Sequence, residues 1–263
     1  MRRQCPASDR ETGGVRNTPT RISPLFLALL AVTVLGGVLA TSDNRALIIT
    51  GVVLLVLGGW ATSLCLHEFG HAVAALRGGD REVREKGYLT LDPRRYTDPV
   101  LSLLLPILFV LIGGIPLPGG AVWINHGALR SKRDEANVSL AGPAMNLLLG
   151  IGLTASVATI EMPFGLAAGL SYLAFLQVIA FVLNILPVPG LDGYGAIEPW
   201  LSPKARHFGE QARPWAPLGI VLILFVIPGA SYVFFNGADA LFNAVGGNTR
   251  LYAYGNLYFR FWE

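Results

Sequence analysis

Apolar positions gather along the chain into long blocks separated by short polar stretches. Five of these blocks predict helices: Leu25–Ala40, Ala46–Leu76, Val138–Ile160, Phe164–Leu186 and Pro217–Phe235. Runs of this length with few charges read as membrane helices. A sixth block, Val100–Ile115, is shorter, with Pro106 inside it and Gly113-Gly114 near its end. A complete crossing there would place the following Arg130, Lys132 and Arg133 outside, against the positive-inside rule. The pattern therefore predicts a re-entrant or returning element, with Pro116–Gly120 making the bend. Ala121–Asn125 (AVWIN) reads equally as an ordinary loop or as a short extended piece whose edge suits strand addition. The expected fold class is an all-α polytopic membrane protein of about five to six spans. It carries one returning element and a short β segment near the functional site.

Composition supports the membrane assignment. Of 263 residues, 52% are hydrophobic and only 14% charged, against roughly 25% charged in soluble domains. A net charge of +3, with no basic run interleaved with aromatics, excludes a nucleic-acid partner. The two cysteines, Cys5 and Cys65, cannot build a disulfide framework.

Basic residues orient the spans. Residues 1–23 hold Arg2, Arg3, Arg10, Arg16 and Arg21, and Arg77–Asp98 holds Arg77, Arg81, Arg84, Lys86, Arg94 and Arg95. The first two spans then run in-to-out and out-to-in. The Arg2-Arg3 pair also invites a twin-arginine reading, with a small-residue cleavage site near Ala40. The lead to Leu25 is long and partly acidic, so a retained first helix is expected. The chain divides into a cytoplasmic tail (1–23), one membrane core (24–236) and an aromatic tail (237–263) that suits packing or an interface.

The candidate chemistry lies at the cytoplasmic end of the second block, in His67-Glu68-Phe69-Gly70-His71. Histidines four apart project from one helix face about a turn apart, where two imidazoles can grip one zinc ion. Glu68 points roughly 100° away, as a general base beside the metal would. Three ionisable groups at the edge of a hydrocarbon-length segment are costly, roughly 2.5–3.5 kcal/mol for an acid at mid-bilayer. A metal site gives that cost a purpose.

Two histidines leave a catalytic zinc one protein ligand short. Asp192, in Asn184-Ile-Leu-Pro-Val-Pro-Gly-Leu-Asp-Gly193, falls on the cytoplasmic side if Val100–Ile115 returns. Glu198 is on the same side and stays open as a substitute; Glu161 falls in the predicted outer turn. His126 and His207 read as surface residues in polar loops. Asn146, inside an apolar helix, reads as a helix-bridging amide or as a residue touching the site.

Four blocks occur in a telling order: HEFGH; Gly87-Tyr-Leu-Thr-Leu-Asp-Pro93; Ser139-Leu-Ala-Gly-Pro-Ala-Met-Asn146; and Asn184 through Gly193. In this the chain resembles the site-2 protease family of intramembrane zinc peptidases, in a compact bacterial branch related to the sporulation-factor proteases. The resemblance spans roughly Ala46 to Gly193 and lacks any stretch able to house a PDZ or regulatory domain. It implies one zinc per chain held by His67, His71 and Asp192, with Glu68 as general base and Asn184 on the substrate backbone or oxyanion. It also implies hydrolysis of peptide bonds in or near transmembrane helices of membrane-protein substrates, in a bacterial cytoplasmic membrane. A non-proteolytic zinc-binding membrane protein or transporter is the alternative. Polar residues clustered toward one side of the membrane, and all four site residues present, count against it.

Overall fold

The computed structural model describes residues 22–95 and 123–262, apart from the side chains of residues 216, 217, 221 and 225. Helix α1 (Pro24–Leu39) opens on Ser23, whose hydroxyl accepts from the Leu25 amide, with Pro24 in the first turn. Helix α2 (Arg45–Gly78) opens on Asn44, whose side chain accepts from the Ala46 and Leu47 amides. It ends at Gly79, whose φ of 124° is a conformation that L side chains rarely adopt. At 34 residues, α2 spans about 51 Å and outruns a hydrocarbon core of roughly 30 Å. After the short α3 (Glu82–Glu85) come single 3-10 turns at Tyr88–Thr90 and Pro93–Arg95.

The chain next described begins at residue 123 and returns to the end of α2 that it left. The Arg130 amide donates to the Gly78 carbonyl at 3.1 Å. The Asn125 amide donates to Asp80 Oδ2 at 2.8 Å, and its side-chain nitrogen to Glu82 Oε1 at 2.7 Å. Lys86 Nζ sits 3.4 Å above the Trp123 ring. Helix α4 (Lys132–Thr159) therefore starts where α2 stops, capped by Ser131 accepting from the Asp134 amide. Helix α5 (Phe164–Asn184) then runs back toward the same end. This is the topology that lets a residue after α5 reach the histidines of α2.

Among the described residues, α2, α4 and α5 are long and apolar enough to cross a membrane; α1, at 16 residues, is shorter. Helix α5 is innermost: 78% of its most apolar stretch is buried, against 33% for α4. Lipid supplies little hydrophobic drive between helices, so close packing and polar bridges must hold them. A Cβ on Gly36 would lie 2.2 Å from the Leu55 amide nitrogen, and one on Gly51 2.4 Å from that of Ala40. Glycine at both places lets α1 and α2 meet backbone to backbone.

The rest wraps α5. Helices α6 (Asp192–Ile197) and α7 (Pro203–Ala212) follow its C-terminal end. The block expected as one helix over Pro217–Phe235 is broken into α8 (Ala216–Val226) and α9 (Ala230–Ala244). Pro228 denies a backbone donor there, and Gly229 takes φ of 83°. Helix α10 (Thr249–Phe259) closes the described chain. The aromatic C-terminal segment packs inward: Phe242 and Phe259 are fully buried, and Tyr252 stacks on Phe175 with ring centroids 4.1 Å apart.

Two further expectations change. The block Val138–Ile160 begins six residues early, at Lys132, because Ser131 caps the polar lead of the helix. Pro143 is therefore interior and leaves the Ser139 carbonyl without its usual helix donor. No strand occurs among the described residues; 123–125 are irregular, and residues 121 and 122 lie outside the described set. The returning element at Val100–Ile115 and nearly all of the 1–23 tail also lie outside it.

Candidate metal centre

Trp60, Ser63, His67 and His71 recur along α2 at steps of three and four residues, so they share one face. That face meets a stripe on α4 formed by Val138, Gly142 and Asn146, all buried. The loop after α5 folds back sharply. Pro187 and Pro189 stop the helix, Gly190 takes φ of 96°, and the Leu191 amide donates to the Val188 carbonyl at 2.9 Å. Gly193 presses so closely on the loop's start that a Cβ there would lie 2.1 Å from the Ile185 carbonyl oxygen. Asp192, first residue of α6, is thereby turned toward α2.

Three side chains converge. His67 Nε2 lies 3.1 Å from His71 Nε2 and 3.2 Å from Asp192 Oδ2, while His71 Nε2 lies 3.5 Å from Asp192 Oδ1. A tetrahedral ion with bonds of about 2.0–2.1 Å would separate its ligand atoms by about 3.3 Å. The observed edges bracket that value. Among the described residues this is the group of histidine, cysteine and acidic side chains disposed to hold a metal ion.

The far nitrogens of the rings say which atoms are available. His71 Nδ1 lies 2.7 Å from the Val138 carbonyl oxygen, which can only accept, so Nδ1 carries the proton. His67 Nδ1 lies 2.5 Å from Asn146 Oδ1, an acceptor too. Neutral rings protonated at Nδ1 expose lone pairs at both Nε2 atoms. Both Nε2 atoms then face the carboxylate in the arrangement of ligands around one cation. The donor set fits zinc, and the outer hydrogen bonds are of the kind that orient its ligands.

Gly142 provides the space. A Cβ there would meet His71 Nε2 at 2.2 Å and His67 Nε2 at 2.6 Å, inside the volume where the three ligand atoms point. Composition offered no hint of this; in the sequence, Gly142-Pro143 looks like a helix start.

The polar contacts continue behind His67. Asn146 Nδ2 donates to Gln177 Oε1 at 2.8 Å, Gln177 Nε2 to Ser63 Oγ at 3.0 Å, and Ser63 Oγ to the Trp60 carbonyl at 2.7 Å. Of the two roles open to Asn146, it fills both: it bridges helices and touches a site residue. Gln177 went unnoticed in the sequence, although a lone amide in the apolar run of α5 was a usable signal.

Glu68 is buried beside the histidines, with 4% of its surface exposed. Asn184, the last residue of α5, is also buried. The other candidates stand apart. Glu198 faces Arg213 at 3.4 Å, His126 lies 3.9 Å from Glu135, His207 lies 3.8 Å from Glu210, and Glu161 is exposed in the α4–α5 turn. Cys65 is buried.

Comparison with known proteins agrees with this chemistry. The chain is 46% identical over 258 residues to a Mycobacterium tuberculosis protein named "Putative zinc metalloprotease Rip2", covering 96% of this chain and 98% of that one. The Mycolicibacterium smegmatis protein of the same name is 45% identical over 92% of this chain and 95% of its own. The Bacillus subtilis "Putative zinc metalloprotease YwhC" is 34% identical over 185 residues, 65% of this chain and 80% of that protein. No family model and no solved structure matches the chain.

Proposed function

Because the chain belongs to the zinc metalloprotease family that includes Rip2 and YwhC, the site-2 protease family that its motifs resemble, we propose that it is an intramembrane endopeptidase. Its substrates are membrane proteins cut in or beside a transmembrane helix. One observation carries this reading: two buried histidines on an apolar helix and a carboxylate from beyond α5 share one volume, with a buried glutamate next in sequence.

His67 Nε2, His71 Nε2 and one Asp192 oxygen would hold one zinc ion per chain. An ion there would supply Lewis acidity, acidifying water and polarising a carbonyl. Glu68 accepts the proton of the attacking water on its carboxylate and returns it to the departing amide nitrogen. The Asn184 amide donates to the substrate backbone or to the developing oxyanion. A helical substrate must unwind locally first, since its carbonyls are already hydrogen-bonded. The bundle shelters that opened backbone from lipid.

The basic residues following α2 and preceding α4 support a placement of this end of the bundle toward the cytoplasm of a bacterial membrane. The substrate thus enters laterally from the bilayer and is cut near its cytoplasmic face. The test is Glu68→Gln. It should hold zinc one-to-one and lose cleavage of a reconstituted membrane substrate. Undiminished cleavage would remove Glu68 as the base.

A further inference from the structure

The contacts behind His67 form a directed chain rather than a scatter of polar pairs. Its members come from α2, α4 and α5, and Asn146, Gln177 and Ser63 are exposed by only 1%, 1% and 3%. The far end is the Trp60 carbonyl, which can only accept. With the Ser63 hydroxyl donated there, Ser63 Oγ accepts from Gln177 Nε2; Gln177 Oε1 is then left to accept from Asn146 Nδ2. Asn146 must in turn present Oδ1 to His67 Nδ1.

We propose that Gln177 and Ser63 are positioning residues of the metal site, which hold the Asn146 amide in the one orientation that leaves His67 Nε2 free to bind the ion. The reason lies in amide symmetry. The two ends of an asparagine amide are nearly the same shape, so packing cannot choose between them; hydrogen bonds can. A flipped Asn146 would aim its NH2 at His67 Nδ1. That nitrogen would have to accept, the ring proton would move to Nε2, and the ligand lone pair would be gone. Gln177 prevents the flip because its oxygen needs the Asn146 donor, and Ser63 keeps Gln177 from flipping in its turn. Burial makes each choice firm, since an unpaired polar atom here has no water to turn to. Asn146 lies 79 positions from His67 along the chain and Gln177 a further 31, which is why no local motif contains the device.

This inference rests on the zinc reading above, and its test separates the two. In full-length purified protein, Gln177→Leu should weaken zinc binding by about 10- to 100-fold in chelator competition. Adding Asn146→Asp should restore most of that loss, because a carboxylate presents an acceptor whichever way it turns. A packing defect would not be repaired by this second change. Histidine 15N spectra of the metal-free protein should show His67 protonated at Nδ1 in the parent and as mixed tautomers in Gln177→Leu. Should the leucine variant fail to fold, Ser63→Ala carries the same test, with a several-fold weakening and the same rescue. Unchanged zinc affinity together with unchanged His67 tautomer would overturn the positioning role alone. A parent protein that binds no zinc would overturn the metalloprotease reading, while the tautomer measurement would still decide this one.

Discussion

Gly142 and His71 stand so close that a single methyl group on the glycine would lie 2.2 Å from the histidine's Nε2. The glycine belongs to α4 and the histidine to α2, and the gap between them is where the ligand atoms converge. Its neighbour Pro143 opens the helix at the same turn, and Val138, one turn earlier, supplies the carbonyl that holds His71. One short stretch of α4 therefore both clears the metal volume and orients a ligand.

Gly142→Ala should accordingly remove zinc while leaving the bundle assembled. Metal analysis of the purified protein should fall from one zinc per chain toward none. The thermal unfolding midpoint of the metal-free form in detergent should fall only modestly, since the added methyl meets ring ends that can turn aside and alanine is the better helix former. A variant that retains stoichiometric zinc would show that the ion does not sit between the two rings.

Asp192 and Glu198 are separated by the same measurement. Asp192→Ala removes the carboxylate that lies 3.2 Å from His67 and 3.5 Å from His71, and zinc content should drop sharply. Glu198→Ala breaks an ion pair with Arg213 and should keep its zinc. The reverse pattern would reassign the third ligand.

Chelation should act on stability as well as on activity. An ion bound only by the folded bundle adds stability in proportion to the logarithm of its free concentration over its dissociation constant, about 2.7 kcal/mol at a hundredfold excess. Stripping zinc should lower the unfolding temperature of the parent and leave that of His67→Ala/His71→Ala unmoved.

The α1–α2 contact offers a test of packing. Gly36→Ala forces a methyl to within 2.2 Å of the Leu55 backbone, which cannot swing aside as a side chain would. Overpacking of this kind costs about 1–3 kcal/mol, so the unfolding midpoint in detergent should fall. Gly152→Ala on α4 has nothing within 4 Å of the added carbon and should be neutral or stabilising.

The strap after residue 123 should loosen in acid. Glu82 is held below its usual carboxylate pKa, first by the hydrogen bond from Asn125 and then by Lys86. A carboxylate whose folded pKa is lowered contributes its stability above the unfolded value and loses it as pH falls through the folded one. Hydrogen-exchange protection around Asn125, corrected for intrinsic rates, should hold down to about pH 5 and decline below it. In Glu82→Gln the decline attributable to this contact should be absent.

Three long apolar helices and the histidine pair were legible from one dimension, because each is written in local spacing. Apolar length sets a span, and a step of four residues sets two rings on one face. The return of the chain to the end of α2 was legible as well, from the placement of basic residues. Helix boundaries that depend on a single cap or breaker were read less well: Ser131 begins α4 early, and Pro228-Gly229 divides what hydropathy alone joins. The sequence offered Asp192 to the histidines with Glu198 as its substitute; the choice between them, the empty space that Gly142 leaves and the hydrogen-bond chain from Trp60 to His67 were decided only in three dimensions. Each depends on which faces of α2, α4 and α5 meet, and that is set by close packing between helices, for which a single sequence carries no period to read.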